Sequence, residues 1–153
     1  MVSTAVVLGF LGASAVPSGL VMLIGGTEMF PARWVDDFPI IDSLVLPGLV
    51  LLFGFGVGSL VTAYGLLRRP DWPALAPVQG WTGHHWSWLA TALIGLGQLI
   101  WILLEFAYLT EVSFLQPLYG AVGLLLVVLP FVPAVSAELA RPTAPADDVG
   151  RAG

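Results

Sequence analysis

Residues 101–119, WILLEFAYLTEVSFLQPLY, place one carboxylate inside an apolar run and then open a second apolar run at a proline. Glu105 has Ile102, Leu103, Leu104 and Phe106 as its neighbours. At membrane depth an ionisable side chain is costly unless it meets a partner or a water-filled cavity, so it is read as a functional candidate. The rest of the chain decides whether this is membrane depth.

Composition says that it is. Of 153 residues, 58% are hydrophobic and only 10% charged, with a mean hydropathy of +0.93; a soluble domain carries about 25% charged residues. A water-soluble fold of this size would lack the polar residues to cover its surface. The 12 Pro and 18 Gly fit membrane helices and their turns. A net charge of −5 argues against a nucleic-acid partner. With no cysteine there is no disulfide, thiolate metal site or thiol redox chemistry.

Working outward from Glu105, residues 88–109 form one continuous apolar run in which Gln98, Trp101 and Glu105 fall at i, i+3 and i+7, on one helical face. That face is expected to look into a helix bundle. Residues 117–137 form the next run, opened by Pro117 and bent or ended by Pro130 and Pro133. Upstream, residues 47–67 begin with Pro47 and end at Arg68-Arg69-Pro70, two cations at the negative end of the helix dipole and a residue that cannot continue it. Gly54 and Gly58 stand there in GxxxG spacing, which predicts a close helix–helix contact, within the bundle or between two copies. The first run, residues 4–25, is about as long as a bilayer core requires. Ala13-Ser14-Ala15 resembles a signal-peptide cleavage site, but no basic residue precedes the run and it continues past that site. Pro17 is expected to kink this first helix, with Ser14 and Ser18 near the freed backbone groups.

The connections are polar. Residues 26–46 hold Glu28, Asp36, Asp37 and Asp42 against Arg33, with Trp34, Phe38, Ile40 and Ile41 able to lie in a membrane interface. Residues 68–87 carry Trp72, Trp81 and Trp86, the pattern of an interfacial aromatic belt. His84 and His85 are adjacent and would point about 100° apart on a helix, so no metal site is expected from them. The tail, residues 141–153, is rich in Ala, Pro, Asp and Arg and is expected to be disordered.

Four spans put both termini and the second connection on one side, together with Arg68, Arg69, Arg141 and Arg151. The opposite side has Arg33 among many acids. By the positive-inside bias the expectation is an all-α membrane four-helix bundle in the cell membrane with both termini cytoplasmic. Glu105 then lies toward the outer end of its helix and Gln98 near the midplane.

The PGLVLL stretch after an acidic, aromatic loop, the Gly-rich second run, Trp101-Ile102 upstream of a polar residue, and FLQPLYGAVGLLL in the fourth run together resemble a widespread, uncharacterised family of short bacterial four-helix integral membrane proteins. The resemblance covers roughly residues 9–128, and Leu115-Gln116-Pro117-Leu118-Tyr119 is its most specific element. It implies a fold and a topology, not an activity. The chain departs from the family's pattern at Glu105, where Gln is expected.

Three functional readings follow. In the first the protein is a non-enzymatic accessory or interaction subunit, alone or as a homo-oligomer, in which Glu105, Gln98, Gln116 and Tyr119 form an interhelical hydrogen-bond cluster. In the second Glu105 is a proton or cation site, with Gln98 extending a polar path toward Thr91, Ser87, Thr62 and Ser59. In the third Asp42, Glu105, Gln116 and Tyr119 line an outward pocket for a lipid or isoprenoid. Trp101 belongs to the same polar cluster, and no cofactor motif of recognisable spacing is present.

Overall fold

The computed structural model describes residues 1–29, 43–109 and 113–140, and these are helical with short turns. The elements are α1 (Val2–Met29), α2 (Val45–Arg68), α3 (Ala76–Thr82), α4 (Trp86–Tyr108), α5 (Leu115–Val128) and α6 (Pro133–Leu139). Val2–Gly26, Val45–Arg68 and Trp86–Tyr108 are 25, 24 and 23 residues long, enough to cross a membrane at about 20 residues per span. The fourth run breaks: Leu115–Phe131 and Pro133–Leu139 meet at 64°. The chain thus has three spanning-length apolar helices, or four if the bent pair is one span.

The break follows from proline chemistry. Pro133 has no N–H to offer the carbonyl three residues back, and Trp88 Nε1 donates to that Pro130 carbonyl at 2.8 Å instead. The break in α1 is at Gly26, which the sequence reading did not single out. The helix runs through Pro17 and loses helical dihedrals at Gly26 (φ 48°, ψ −141°), a conformation that glycine adopts without a Cβ penalty. Ser14 Oγ donates to the Leu11 carbonyl and Ser18 Oγ to the Ser14 carbonyl, so both hydroxyls bond within their own helix.

Helices pack through backbone approach at small residues. A Cβ on Gly19 of α1 would lie 2.6 Å from Leu52 N and 2.8 Å from the Gly48 carbonyl, so α1 and α2 touch main chain to main chain. Gly56 meets Val16 in the same seam. Within the single chain the close contact of α2 is not made at the GxxxG pair: Gly54 is exposed and meets only Val50 of its own helix, and Gly58 meets only the carbonyl of Phe53, also of α2. The reason is local winding. Val50–Val57 is a π-helical stretch, whose i→i−5 bonding advances each residue through a smaller angle than the α-helix, so α-helical spacing does not give the contacting face. On the other side of the molecule, a Cβ on Gly95 of α4 would lie 2.7 Å from Val127 N and 2.8 Å from the Gly123 carbonyl of α5.

One end of the molecule gathers the N-terminus, residues 136–140 and the second connection. The N-terminal amine lies 3.7 Å from Glu138, Arg69 reaches Met1 Sδ at 3.3 Å, and His85 N–H donates to the Leu139 carbonyl at 2.9 Å. Adding one methyl at the tight seam tests the packing. Gly95→Ala is expected to lower the stability of the detergent-purified protein by about 1–3 kcal/mol, the usual range for overpacking. Gly54→Ala should shift it by less than about 0.5 kcal/mol, as for an open surface position. Thermal unfolding of both variants compares the two.

Candidate functional site

The polar face expected on α4 exists and is turned inward. Gln98 is 4% exposed and Glu105 half-buried; Trp101 between them donates Nε1–H to Glu105 Oε1 at 2.6 Å. The i, i+4 spacing of Trp101 and Glu105 brings the indole and the carboxylate together on consecutive turns. Gln98 Oε1 is buried and has no hydrogen-bond partner among the described residues.

These three side chains form one wall of a cavity of about 540 Å³. From α5 come Gln116 and Tyr119, with Ser113 just ahead of the helix, and Gln116 Oε1 accepts from Ser113 N–H at 2.7 Å. From α1 come Ser14, Pro17 and Ser18, and from the start of α2 Pro47 and Leu51. Leu11, Ile102 and Leu109 add apolar surface. Tyr119 stacks on Phe10 at a centroid distance of 6.1 Å, which joins α5 to α1 on one flank. The cavity lies toward the end carrying Leu44, Leu109 and Ser113, away from Met1 and Glu138.

Glu105, Gln98, Trp101, Gln116 and Tyr119, five of the six residues expected in the polar cluster, thus share one cavity. Asp42 and the acidic stretch around it lie outside the described residues, as does the tail. What the sequence reading missed is the opposite wall. Ser14 and Ser18 are one turn apart beside Pro17, and that small polar stripe in an apolar helix was the available signal.

The other end is a lock. His85 caps α4: its Nδ1 accepts from Ser87 N–H at 3.4 Å and from the Ser87 hydroxyl at 2.8 Å. Nε2 therefore carries the proton and donates to the Pro70 carbonyl at 3.3 Å, an acceptor shared with Trp86 Nε1. Trp72 stacks on Trp86 at 4.9 Å and His84 on Trp88 at 4.8 Å, while Nε2 of His84 lies 3.1 Å from Ser136 Oγ. The expected belt is only in part an exposed one: Trp81 is 82% exposed but Trp86 only 5%. Among the described residues no three His, Asp or Glu side chains gather closely enough to hold a metal ion.

Chemically, the cavity combines an apolar body with a few convergent polar groups, and its size falls inside the range of about 300–1,000 Å³ typical of small-molecule sites. The Trp101–Glu105 bond is open to a double-mutant cycle. Trp101→Phe and Glu105→Leu should each lower thermal stability, their combination should cost less than the sum by about 1–2 kcal/mol, and Glu105→Gln, which keeps an acceptor oxygen, should retain most of it. Compared with known proteins, the chain matches no family model, no curated protein and no solved structure.

Proposed function

We propose that this is an integral protein of the cell membrane, a four-helix bundle with both termini cytoplasmic, that acts without catalysis as an accessory protein holding an amphiphilic, lipid-like molecule between its helices. The observation that carries the reading is the cavity of about 540 Å³ on which Gln98, Trp101, Glu105, Gln116 and Tyr119 converge. Trp101 bonds Glu105 and Gln116 bonds Ser113, but helix glue alone leaves no space beside such groups. Here they line open volume, and Gln98 Oε1 faces no protein donor among the described residues.

The membrane placement is supported by the apolar helices of spanning length and by the grouping of Met1, Arg69 and Glu138 at one end, as an even number of crossings requires. Arg68 and Arg69 at that end favour the cytoplasmic side. The resemblance to short bacterial four-helix membrane proteins points the same way. A conducting role has less support: the hydroxyls of Thr91 and Thr62 donate to the Ser87 and Gly58 carbonyls of their own helices rather than to one another.

Two measurements test this. The chain lacks cysteine, so single cysteines report sidedness without background. In intact cells a membrane-impermeant thiol reagent should label Ser113→Cys and leave Ser3→Cys and Asp71→Cys untouched until the membrane is opened; the reverse pattern would invert the topology. For the ligand, native mass spectrometry of the purified protein should find a bound amphiphile at defined stoichiometry. Ser18→Trp, which fills the α1 wall from an exposed position, should lower its retention by about tenfold, or about 1.4 kcal/mol.

A further inference from the structure

Two acceptor oxygens on α4 and the charge of the wall set the chemistry of what fits. Some of the wall's polar groups bond within the protein: Ser14 and Ser18 donate to α1 carbonyls, Trp101 donates to Glu105, and Gln116 Oε1 accepts from Ser113 N–H. Two acceptor oxygens on α4 remain. Gln98, 96% buried by its 4% exposure, presents an unpartnered Oε1, and Glu105 receives one side-chain hydrogen bond, leaving its second oxygen open. No Arg, Lys or His lines the cavity among the described residues.

We infer that the cavity selects an amphiphile whose polar group donates hydrogen bonds, a hydroxyl or an amine, and rejects anionic head groups. This rests on the ligand-binding reading above and adds the head-group class to it. The physical reason is differential desolvation. A phosphate or carboxylate entering here would leave water for a wall that holds a carboxylate and, among the described residues, no Arg, Lys or His, so its charge would go unmatched. A hydroxyl or amine loses its hydration to acceptors that the protein has itself left unsatisfied, and leaving such an acceptor buried without a donor is unfavourable in the empty state. Gln98 and Glu105 are seven residues apart, roughly 10 Å along α4. The deep amide therefore meets a donor buried with the apolar body, and the carboxylate meets one near the cavity's outer end.

The test uses the full-length protein in phosphatidylcholine nanodiscs and three photoreactive single-chain probes of equal length, ending in an alcohol, an amine or a carboxylate. Labelling of the cavity residues Pro17 and Leu51 is mapped by mass spectrometry and divided by labelling of Leu93 and Leu96, which are exposed on the outside of α4. That ratio removes differences in how the probes enter the bilayer. The alcohol or the amine should exceed the carboxylate by about tenfold or more in this ratio. Gln98→Leu should remove most of the preference, and Glu105→Gln should reduce the amine more than the alcohol if the favoured head is cationic. Equal ratios for all three heads, above the outer face, would overturn the selectivity and leave the binding reading standing. A higher ratio for the carboxylate would also overturn it. Cavity labelling no greater than that of the outer face for every probe would remove the ligand site altogether. The wild-type comparison needs no variant, so a misfolded Gln98→Leu does not blunt it.

Discussion

Two backbone contacts at glycine control the shape of the molecule. Gly19 against Gly48 and Leu52 draws α1 onto α2, and Gly95 against Gly123 and Val127 draws α4 onto α5. For apolar helices of spanning length, association within lipid brings no hydrophobic gain, and van der Waals contact at small residues carries the pairing. The helices therefore form two tight pairs. The space that remains lies between the pairs, and the cavity takes its walls from both, with α1 and α2 on one side and α4 and α5 on the other.

The two ends of the molecule treat this space differently. At the end with Met1 and Glu138, Gly65 admits the Trp86 ring so closely that an added Cβ would sit 2.5 Å from it, and His85, Trp72 and Pro70 complete the closure. At the opposite end α4 and α5 carry polar side chains into the gap, and the pairs are spanned by a stack of Phe10 on Tyr119 rather than by backbone contact. The π-helical stretch of α2 lies at this wider end, and Leu51 within it faces the cavity. Such stretches recur at functional sites because one displaced residue re-aims the side chains that follow.

Much of the site was readable beforehand. Gln98, Trp101 and Glu105 occupy one face because helical periodicity is a local property, and lipid gives that face no partner, so it had to turn inward. Gln116 and Tyr119 could be associated with them because a turn of only a few residues forces the two helices to lie antiparallel. The contribution of α1 was not readable: Ser14 and Ser18 are more than eighty positions away, and nothing local says which helix will face Glu105. The tryptophans of residues 68–87 were read as an interfacial belt on composition alone. Composition does not reveal that the indole of Trp86 bonds the Pro70 carbonyl, a pairing that exists only in three dimensions.

By itself the sequence determined the helical class, the spanning lengths, the bend at Pro133 and the polar face of α4, since each follows from composition or from a few neighbouring residues. Only the tertiary structure decided which glycines meet, where α1 bends and whether the polar groups enclose a space. Gly54 and Gly58 had the spacing for a helix contact, yet the π-helical winding of α2 gave it to Gly48 and Gly56. Spacing along one chain states which residues share a face; it carries no information on the rotation that brings that face against another helix, because this rotation minimises the packing energy of all the helices together.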